Sequence, residues 1–260
     1  MTRFTAILSV FMLTAMGMGC ASENAQGLQS WEVVDNDTLI DPSMMEDIVS
    51  ATGRISKNQG SATISATAFA LDANYALTVG HFFFPSRKPG EKRDSHLENK
   101  SCDGVRIEWG DGSVSACKAL VYAHHIAGHK ERNVDVALVK IDKSPSYALQ
   151  VDDNDPEHNE ALAVVSLRTQ GNAGLTAANR GDAGLSAEVL VCNVQPVEKG
   201  NLARMPNCQT ELGKSGAPVV DKSGMVRGNM VGYYEETLSN GQVTRTGVMQ
   251  LASVIDLYGN

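Results

Sequence analysis

The sequence predicts an all-β protein. Glycine is abundant, aromatic residues are few, and from residue 61 onward short apolar runs with a period of two recur between turn residues. No repeat or low-complexity tract is present, and no long apolar segment follows the N-terminal one. About 240 residues remain after that segment, enough for one large all-β domain or two smaller domains that share an interface.

The N-terminal segment has the features of an export signal. A single early charge precedes an apolar stretch, residues 4–18, that is short for a bilayer span, and small residues follow it. Cleavage after Ala21 would give a signal peptide of residues 1–21 and a soluble product. Cleavage after Gly19 would instead leave a lipid-modified Cys20, because Gly19 and Cys20 resemble the end of a bacterial lipoprotein signal. We therefore expect a secreted or periplasmic protein, or an outer-membrane lipoprotein anchored through Cys20.

The cysteines also favour export. Four cysteines remain beyond Cys20, an even number that suits two disulfides in an oxidising compartment. Pairing by proximity along the chain joins Cys102 to Cys117 and Cys192 to Cys208. Free buried thiols are an alternative. A zinc site is another, but the sequence has no Cys-x-x-Cys motif.

The overall charge limits the classes of partner. The net charge is −8 and the sequence pI is near 5.2. Phosphate backbones and anionic lipids repel an acidic surface. We therefore expect no nucleic-acid partner, and no membrane contact except through a lipid on Cys20.

A leader, residues 22–58, precedes the β-rich part of the chain. Its first half, residues 22–39, is polar and has no regular pattern. Asp41 followed by Pro42 is typical of a helix start, with an N-cap and a proline at the first helical position. The apolar residues that follow at helical spacing are Met44, Met45, Ile48 and Val49. We expect a short helix here and interpret its methionines as packing residues.

The first strands are expected in pairs. Residues 61–71 and 74–79 alternate with a period of two and flank the turn Asp72-Ala73. Residues 105–109 and 114–122 flank a Gly-Asp-Gly turn and predict a second hairpin.

A serine between glycines stands out near the C-terminus. The segment Gly-Lys-Ser-Gly-Ala-Pro at 213–218 predicts a tight turn that presents the hydroxyl of Ser215 and then enters a strand. Glycines let neighbouring N–H groups converge on a developing oxyanion. A phosphate-binding P-loop is excluded because Cys208 stands where it needs glycine, and a hydrolase nucleophile elbow because no histidine follows Ser215. An ordinary hairpin with a capping serine is the alternative for this stretch alone.

A histidine and an aspartate occupy two other marked positions. His81 comes directly after the strand predicted at 74–79, and a histidine packed among Phe82, Phe83 and Phe84 is the alternative for it. Asp135 lies in an apolar run, residues 134–141, where an aspartate needs a partner or a strand end.

These three segments together resemble the motifs of the trypsin-like (chymotrypsin-fold) serine proteases, of the exported bacterial type. Residues 76–81, Ala-Leu-Thr-Val-Gly-His, resemble the family's histidine motif, and residues 133–140 resemble its aspartate motif. Residues 213–218 resemble its serine motif, and all three stand in the family's chain order. The resemblance implies a peptidase domain at 59–260, made of two six-stranded antiparallel β-barrels that divide near 145–160, with a short C-terminal helix.

The resemblance also implies the later elements. The strands expected from it and from the apolar runs are at 162–167, 188–194, 219–221, 225–234 and 242–249, and the last helix is at 252–258. A glycine- and alanine-rich connection at 170–184 separates the first two.

A serine endopeptidase is the function that the resemblance implies. Ser215 would attack the scissile carbonyl, His81 would act as general base, and Asp135 would hold the imidazole and stabilise its charged form. The backbone N–H groups of Gly213 and Ser215 would bind the oxyanion. The expected substrate is a polypeptide, the enzyme is expected to be a monomer, and no metal or organic cofactor is implied.

The substrate pocket is assigned by register with the family. Its residues would be Gln209, Thr210, Met230, Val231, Gly232 and Tyr233. Glu211 is the nearest carboxylate but is displaced by one position, so specificity for arginine or lysine is not indicated. Lys214 replaces the aspartate that would pair with a newly cut N-terminus, so activation by that ion pair is not available.

Alternatives remain for two groups of residues and for the function. His125 and His129 have a metal-binding spacing if helical, but no glutamate follows His125, and we expect residues 124–129 to form a surface loop. The acids that rival Asp135 are Asp152, Asp153 and Asp155, in a polar, turn-like cluster. A non-catalytic binding protein or surface lipoprotein on the same scaffold is the alternative function.

Overall fold

The computed structural model describes residues 30–33, 39–84, 91–127, 133–169, 185–196, 201–206, 208, 213–237 and 243–257. Strands dominate these residues, which confirms the all-β class. The predicted signal segment with Cys20, the predicted pocket residues Gln209 and Thr210, and His129 lie outside the described residues. None of the described helices is both long enough and apolar enough to cross a membrane.

The segment ahead of the first barrel is part of the fold. Strand β1 (Ser30–Val33) pairs in parallel with the later strand Leu185–Asn193. Helix α1 (Pro42–Ala51) begins as predicted, with the Asp41 carboxylate accepting a hydrogen bond from the N–H of Ser43 at 2.9 Å. The buried residues of α1 are Met45, Ile48, Val49 and Ala51. They belong to an apolar cluster that also contains residues of both barrels, so α1 fills the space between the barrels.

The first barrel closes as a ring of six antiparallel strands. The sheet has seven strands, of which six form the ring. The seven strands are β2 (Thr52–Gln59), β3 (Ala62–Ala70), β4 (Tyr75–Thr78), β5 (Arg93–Lys100), β6 (Val105–Trp109), β7 (Val114–Ala127) and β8 (Val134–Ile141). The order is β5-β7-β6-β2-β3-β4-β8, and an additional pairing of β7 with β8 closes the ring and leaves β5 as an extension. Because β2 pairs with both β3 and β6, the barrel begins at Thr52. The sequence placed the start of this domain at residue 59.

The second barrel lies in the C-terminal half. Its elements are β9 (Ala161–Thr169), β10 (Leu185–Asn193), β11 (Gln195–Pro196), β12 (Leu202–Met205), β13 (Pro218–Val220), β14 (Val226–Thr237), β15 (Val243–Leu251) and helix α2 (Ala252–Leu257). The sheet order is β1-β10-β9-β13-β14-β15-β12-β11. Only Val194 separates β10 from β11, so one bent segment pairs with β9 at one edge and β12 at the other. This closes a second ring of six, with β1 added outside it.

Two disulfides join neighbouring segments, in the pairing that the sequence predicted. Cys102 bonds to Cys117, and Cys192 bonds to Cys208. The first ties β7 to the loop before β6. The second ties β10 to the segment that leads to Ser215, and so helps to fix the position of that segment.

Candidate active site

The pairing of β4 with β8 brings His81 and Asp135 together. Thr78 lies opposite Ala137 in this antiparallel pair, so the end of β4 meets the start of β8. A 3₁₀ turn at Gly80–Phe82 follows β4 and carries His81. Gly80 is required there, because a Cβ at this position would lie 2.0 Å from the carbonyl oxygen of His124.

Asp135 holds His81 through both of its oxygens. Oδ2 lies 2.6 Å from Nδ1 of His81, and Oδ1 accepts the backbone N–H of His81 at 2.7 Å. Asp135 is buried, whereas the His81 side chain is 38% exposed. Burial alone would raise the pKa of Asp135, but the charge of His81 and the hydrogen bonds from His125 and His81 outweigh it and hold that pKa well below its usual range. The ionised carboxylate therefore fixes Nδ1 of His81 as the donor to Oδ2.

A second histidine reaches the same carboxylate. His125 on β7 lies opposite Asp135 on β8, and its Nδ1 is 3.2 Å from Oδ1 of Asp135. Its ring is buried and stands edge-on to the His81 ring, with centroids 5.9 Å apart. The expectation of a surface loop at 124–129 is wrong for its first residues, because β7 continues to Ala127 and the alternation of its side chains turns His125 inward.

A glutamine of the second barrel is hydrogen-bonded to the backbone of Asp135. The backbone N–H of Asp135 donates to Oε1 of Gln250 on β15 at 3.1 Å, and the amide of Gln250 donates to the carbonyl oxygen of Asn201. Gln250 is fully buried. Sequence reasoning missed Gln250, because nothing near it in the chain marks a glutamine at this position as different from any other strand residue.

Ser215 lies in a turn that docks on the first barrel. Thr67 on β3 clamps the turn, since its N–H donates to the carbonyl oxygen of Ser215 at 2.8 Å and its Oγ1 donates to that of Gly213 at 2.9 Å. Oγ1 of Thr78 in turn donates to the carbonyl oxygen of Thr67 at 2.6 Å. Thr78 is three residues before His81. The turn therefore lies against the two strands that lead to the histidine.

Glycine is needed at both ends of this turn. Gly213 and Gly216 have φ values of +97° and +87°, which side chains disfavour. A Cβ on Gly216 would also come within 2.0 Å of the carbonyl oxygen of Thr67. The N–H groups of Gly216 and Ala217 donate within the fold, whereas those of Gly213 and Ser215 have no acceptor in the described part of the chain. These two N–H groups are the ones that the sequence assigned to the oxyanion.

The hydroxyl of Ser215 is engaged with β14. Its Oγ donates to the carbonyl oxygen of Val231 at 3.1 Å, and among the described contacts no hydrogen bond joins it to His81. Lys214, next to it, is buried and its Nζ lies 2.7 Å from Oε1 of Glu188 on β10. The sequence pointed to Lys214 but gave no indication of Glu188 as its partner.

The expected pocket wall is divided between core and surface. Met230 is fully buried in the core of the second barrel, and only its backbone serves the site, by accepting the N–H of Gly216 at 2.6 Å. Val231, Gly232 and Tyr233 are partly exposed along β14. The structure places the side chain of Met230 in the core of the second barrel, whereas the sequence assigned it to the pocket wall.

The rival acids have other contacts. Asp152 lies 3.2 Å from the Arg227 guanidinium, and Asp155 accepts a hydrogen bond from Ser253 at 2.9 Å. His81, His125 and Asp135 are the group within the described ranges that could hold a metal ion, with ligand atoms within 4.8 Å of one another. An ion there would have to replace the protons that link the imidazoles to the carboxylate.

Comparison with known proteins identifies the fold. The sequence matches no family model and no curated protein. Its structure is similar to that of a scabies mite inactivated protease paralogue, with a TM-score of 0.54 and 13% identity over 82% of this chain and 93% of that one. It is also similar to neuropsin, a serine protease of mouse brain, with a TM-score of 0.53 and 13% identity over 81% and 92% of the two chains. The chain therefore has the double-barrel fold of the chymotrypsin-like serine proteases.

Proposed function

We propose that the protein is an exported serine endopeptidase that uses Ser215, His81 and Asp135. The observation that carries this proposal is the double contact of Asp135 with the backbone and the ring of His81, at 2.7 and 2.6 Å. A buried carboxylate that fixes one imidazole tautomer is the support that a histidine base needs. The Ser215 turn docks on the strands that lead to His81, and this supports the proposal that Ser215 is the nucleophile.

The reaction follows from these positions. Ser215 Oγ attacks the scissile carbonyl carbon while Nε2 of His81 takes the hydroxyl proton, and Asp135 stabilises the imidazolium that results. The carbonyl oxygen becomes an anion and binds the N–H groups of Gly213 and Ser215. His81 then gives its proton to the departing amine, which leaves an acyl-enzyme. A water molecule repeats the two steps, releases the acid and restores Ser215.

The hydrogen bond to Val231 sets a condition on the first step. The hydroxyl of Ser215 must leave the Val231 carbonyl oxygen and turn toward His81 before it can be deprotonated. Hydrogen bonds at catalytic residues are often poorly aligned without substrate and tighten in the complex. We propose that an extended substrate brings about this rotation when it occupies the cleft beside Val231, Gly232 and Tyr233.

The disulfides support the exported location. Two such bonds persist in oxidising compartments and are rare in the reducing cytosol. We propose that the enzyme acts outside the cytoplasm as a monomer, and that it is anchored to a membrane only if Cys20 is retained and lipidated. Its substrate would be a polypeptide.

A second candidate is a non-catalytic binding protein on this fold. One observation favours it, namely that the hydroxyl of Ser215 donates a hydrogen bond to Val231 and, among the described contacts, makes none with His81. One of the structures that it resembles is an inactivated protease paralogue. Against it stands the retention of all three side chains.

Labelling with a fluorophosphonate separates the two candidates. The purified mature protein is treated with the reagent beside Ser215→Ala and a matched control, Ser61→Ala, which changes an exposed serine in the turn between β2 and β3. We expect labelling of the wild type and the control and none of Ser215→Ala. We also expect the wild type to cut unfolded casein into fragments seen by mass spectrometry. A folded wild type that takes no label would support the binding protein and overturn the peptidase.

A further inference from the structure

A lysine is buried next to the proposed nucleophile. Lys214 lies between Gly213 and Ser215, and its side chain is only 3% exposed. Lysine is almost never buried without a partner, because its ammonium group loses its hydration. Here the partner is Glu188, whose Oε1 is 2.7 Å from Nζ and whose side chain is 14% exposed. The ion pair is therefore largely shielded from solvent.

Glu188 belongs to a well-anchored part of the second barrel. It lies within β10, where it faces Ser166 of β9 across an antiparallel pair. Four residues further along, Cys192 joins β10 to Cys208, ahead of the serine turn. The backbone of Glu188 is therefore held in place by the barrel, and its carboxylate binds the Lys214 side chain from within the second barrel.

The turn that carries Ser215 is bound by residues of both barrels. Thr67 binds the carbonyl oxygens of Gly213 and Ser215 from the first barrel, and Glu188 binds the Lys214 side chain from the second. Gly213, on the N-terminal side of Lys214, has a backbone freedom that other residues lack. Fixing Lys214 between these contacts limits the rotation of the two peptide N–H groups proposed to bind the oxyanion.

The Lys214–Glu188 ion pair is formed by two side chains, and no terminal amino group takes part in it. Both of its residues are internal to the second barrel. The segment before the first barrel is packed in the fold through α1, with Ile48 fully buried. A new α-amino group would also carry the same charge as Lys214 and would be repelled by it.

We propose that the Lys214–Glu188 ion pair positions the serine turn, so that the oxyanion site is already formed in the mature chain without internal cleavage. This proposal rests on the proposed peptidase function. Lys214 and Glu188 are positioning residues, because they touch neither substrate nor the reacting atoms. Loss of the ion pair should slow the reaction of Ser215 with a fluorophosphonate that is already bound. The affinity for the fluorophosphonate should stay nearly unchanged.

Replacing both partners by apolar residues tests the role without leaving a buried charge. The double variant Lys214→Met/Glu188→Leu keeps the volume of the pair, and such replacements of buried ion pairs are often neutral or stabilising for the fold. The readouts are the melting temperature and the rate of fluorophosphonate labelling, separated into the inactivation constant and the reagent affinity. The phosphonyl oxygen of this reagent occupies the oxyanion position. The matched control is Arg106→Met, which breaks an exposed ion pair with Glu108 on β6.

We expect the double variant to fold and its inactivation constant to fall about 100-fold, as for loss of one oxyanion donor, while reagent affinity changes little. A folded double variant that reacts at the wild-type rate would overturn the proposal and leave the pair as a stabilising contact. If the double variant does not fold, Lys214→Leu/Glu188→Met replaces it, because this pair of substitutions also leaves neither charge buried. An unchanged inactivation constant in the folded replacement would overturn the proposal equally.

The cleavage state is read from the same samples. The intact mass of labelled wild-type protein should correspond to one uncut mature chain. Labelling confined to chains cut within residues 52–257 would contradict the proposal while the peptidase function stands. A folded wild type that takes no label in any form would remove both.

Discussion

Nδ1 of His125 lies 3.2 Å from Oδ1 of Asp135, so two histidines share one buried carboxylate. Oδ1 accepts the backbone N–H of His81 as well, while Oδ2 faces the ring of His81. The charged and titratable side chains in contact with His125 in the described structure are His81 and Asp135, and Phe84 lies on another side of its ring. His125 and His81 therefore share the negative charge of Asp135, which the proposed mechanism uses to stabilise protonated His81.

His125→Phe should shift the acidic limb of the pH dependence of labelling. Without the donor from His125, more of the Asp135 charge acts on His81, and the protonated, inactive form of His81 persists to higher pH. We expect the midpoint of that limb to move to higher pH. The measurement is the fluorophosphonate labelling rate against pH. His96→Asn, which changes an exposed histidine on β5, serves as control, and equal midpoints for wild type and His125→Phe would contradict the prediction.

Asp135→Asn should remove most of the activity and keep the fold. The amide keeps the size of the carboxylate but favours the wrong tautomer of His81 and cannot stabilise the imidazolium. We expect the labelling rate to fall by about 10⁴-fold, with secondary structure by circular dichroism unchanged. Asp152→Asn, at a rival acid that contacts Arg227, should retain the wild-type rate. The opposite result for these two variants would move the triad acid to Asp152.

The stability of the protein should depend on the ionisation of Asp135. Burial alone would raise the pKa of Asp135. The charge of His81 and the hydrogen bonds to both histidines outweigh burial, and they hold this pKa well below the usual 3.8 in the fold. A group with a lowered folded pKa stabilises the fold above its unfolded pKa and loses this contribution as the pH falls toward the folded one. We expect the free energy of unfolding to fall between about pH 5 and pH 2, and to fall less steeply in Asp135→Asn, which cannot titrate.

Urea unfolding at a series of pH values measures this slope. The matched control is Asp153→Asn, which changes an exposed aspartate outside the site and should keep the wild-type slope. Identical slopes for wild type and Asp135→Asn would show that other carboxyl groups set the acid stability.

Gly216→Ala should damage the serine turn by steric clash. Its φ of +87° and the approach of a Cβ to 2.0 Å from the carbonyl oxygen of Thr67 both oppose a side chain. Gly60→Ala is a matched control with a φ of +62° and nothing within 4 Å of a Cβ. We expect Gly60→Ala to cost about 1 kcal/mol and Gly216→Ala at least twice that, with loss of labelling. Chemical unfolding gives both values, and equal costs would contradict the close approach.

Ile48→Ala should test whether α1 belongs to the folded core. Ile48 is fully buried between the barrels, so its truncation should lower the free energy of unfolding by about 2–5 kcal/mol. Asp47→Ala, at an exposed position of the same helix, should change it by less than about 0.5 kcal/mol. If Ile48→Ala lowers the free energy of unfolding as little as Asp47→Ala does, then α1 does not stabilise the barrels.

The sequence alone determined the local features of this protein. The N-cap Asp41 with Pro42 predicted α1, the period of two predicted β3 and β4, and proximity along the chain predicted both disulfides. The three motifs pointed to His81, Asp135 and Ser215, and the structure joins the first two directly. Capping, alternation and turn chemistry act over a few residues, so a single sequence displays them.

Only the tertiary structure decided what faces these residues. His125 joins Asp135 because β7 and β8 pair in one register, and Lys214 reaches Glu188 because the second barrel closes around it. Gln250 supports Asp135 across 115 positions of the chain. Such contacts depend on strand register and barrel closure, which are set by packing of the whole core, and no local pattern at either partner records them.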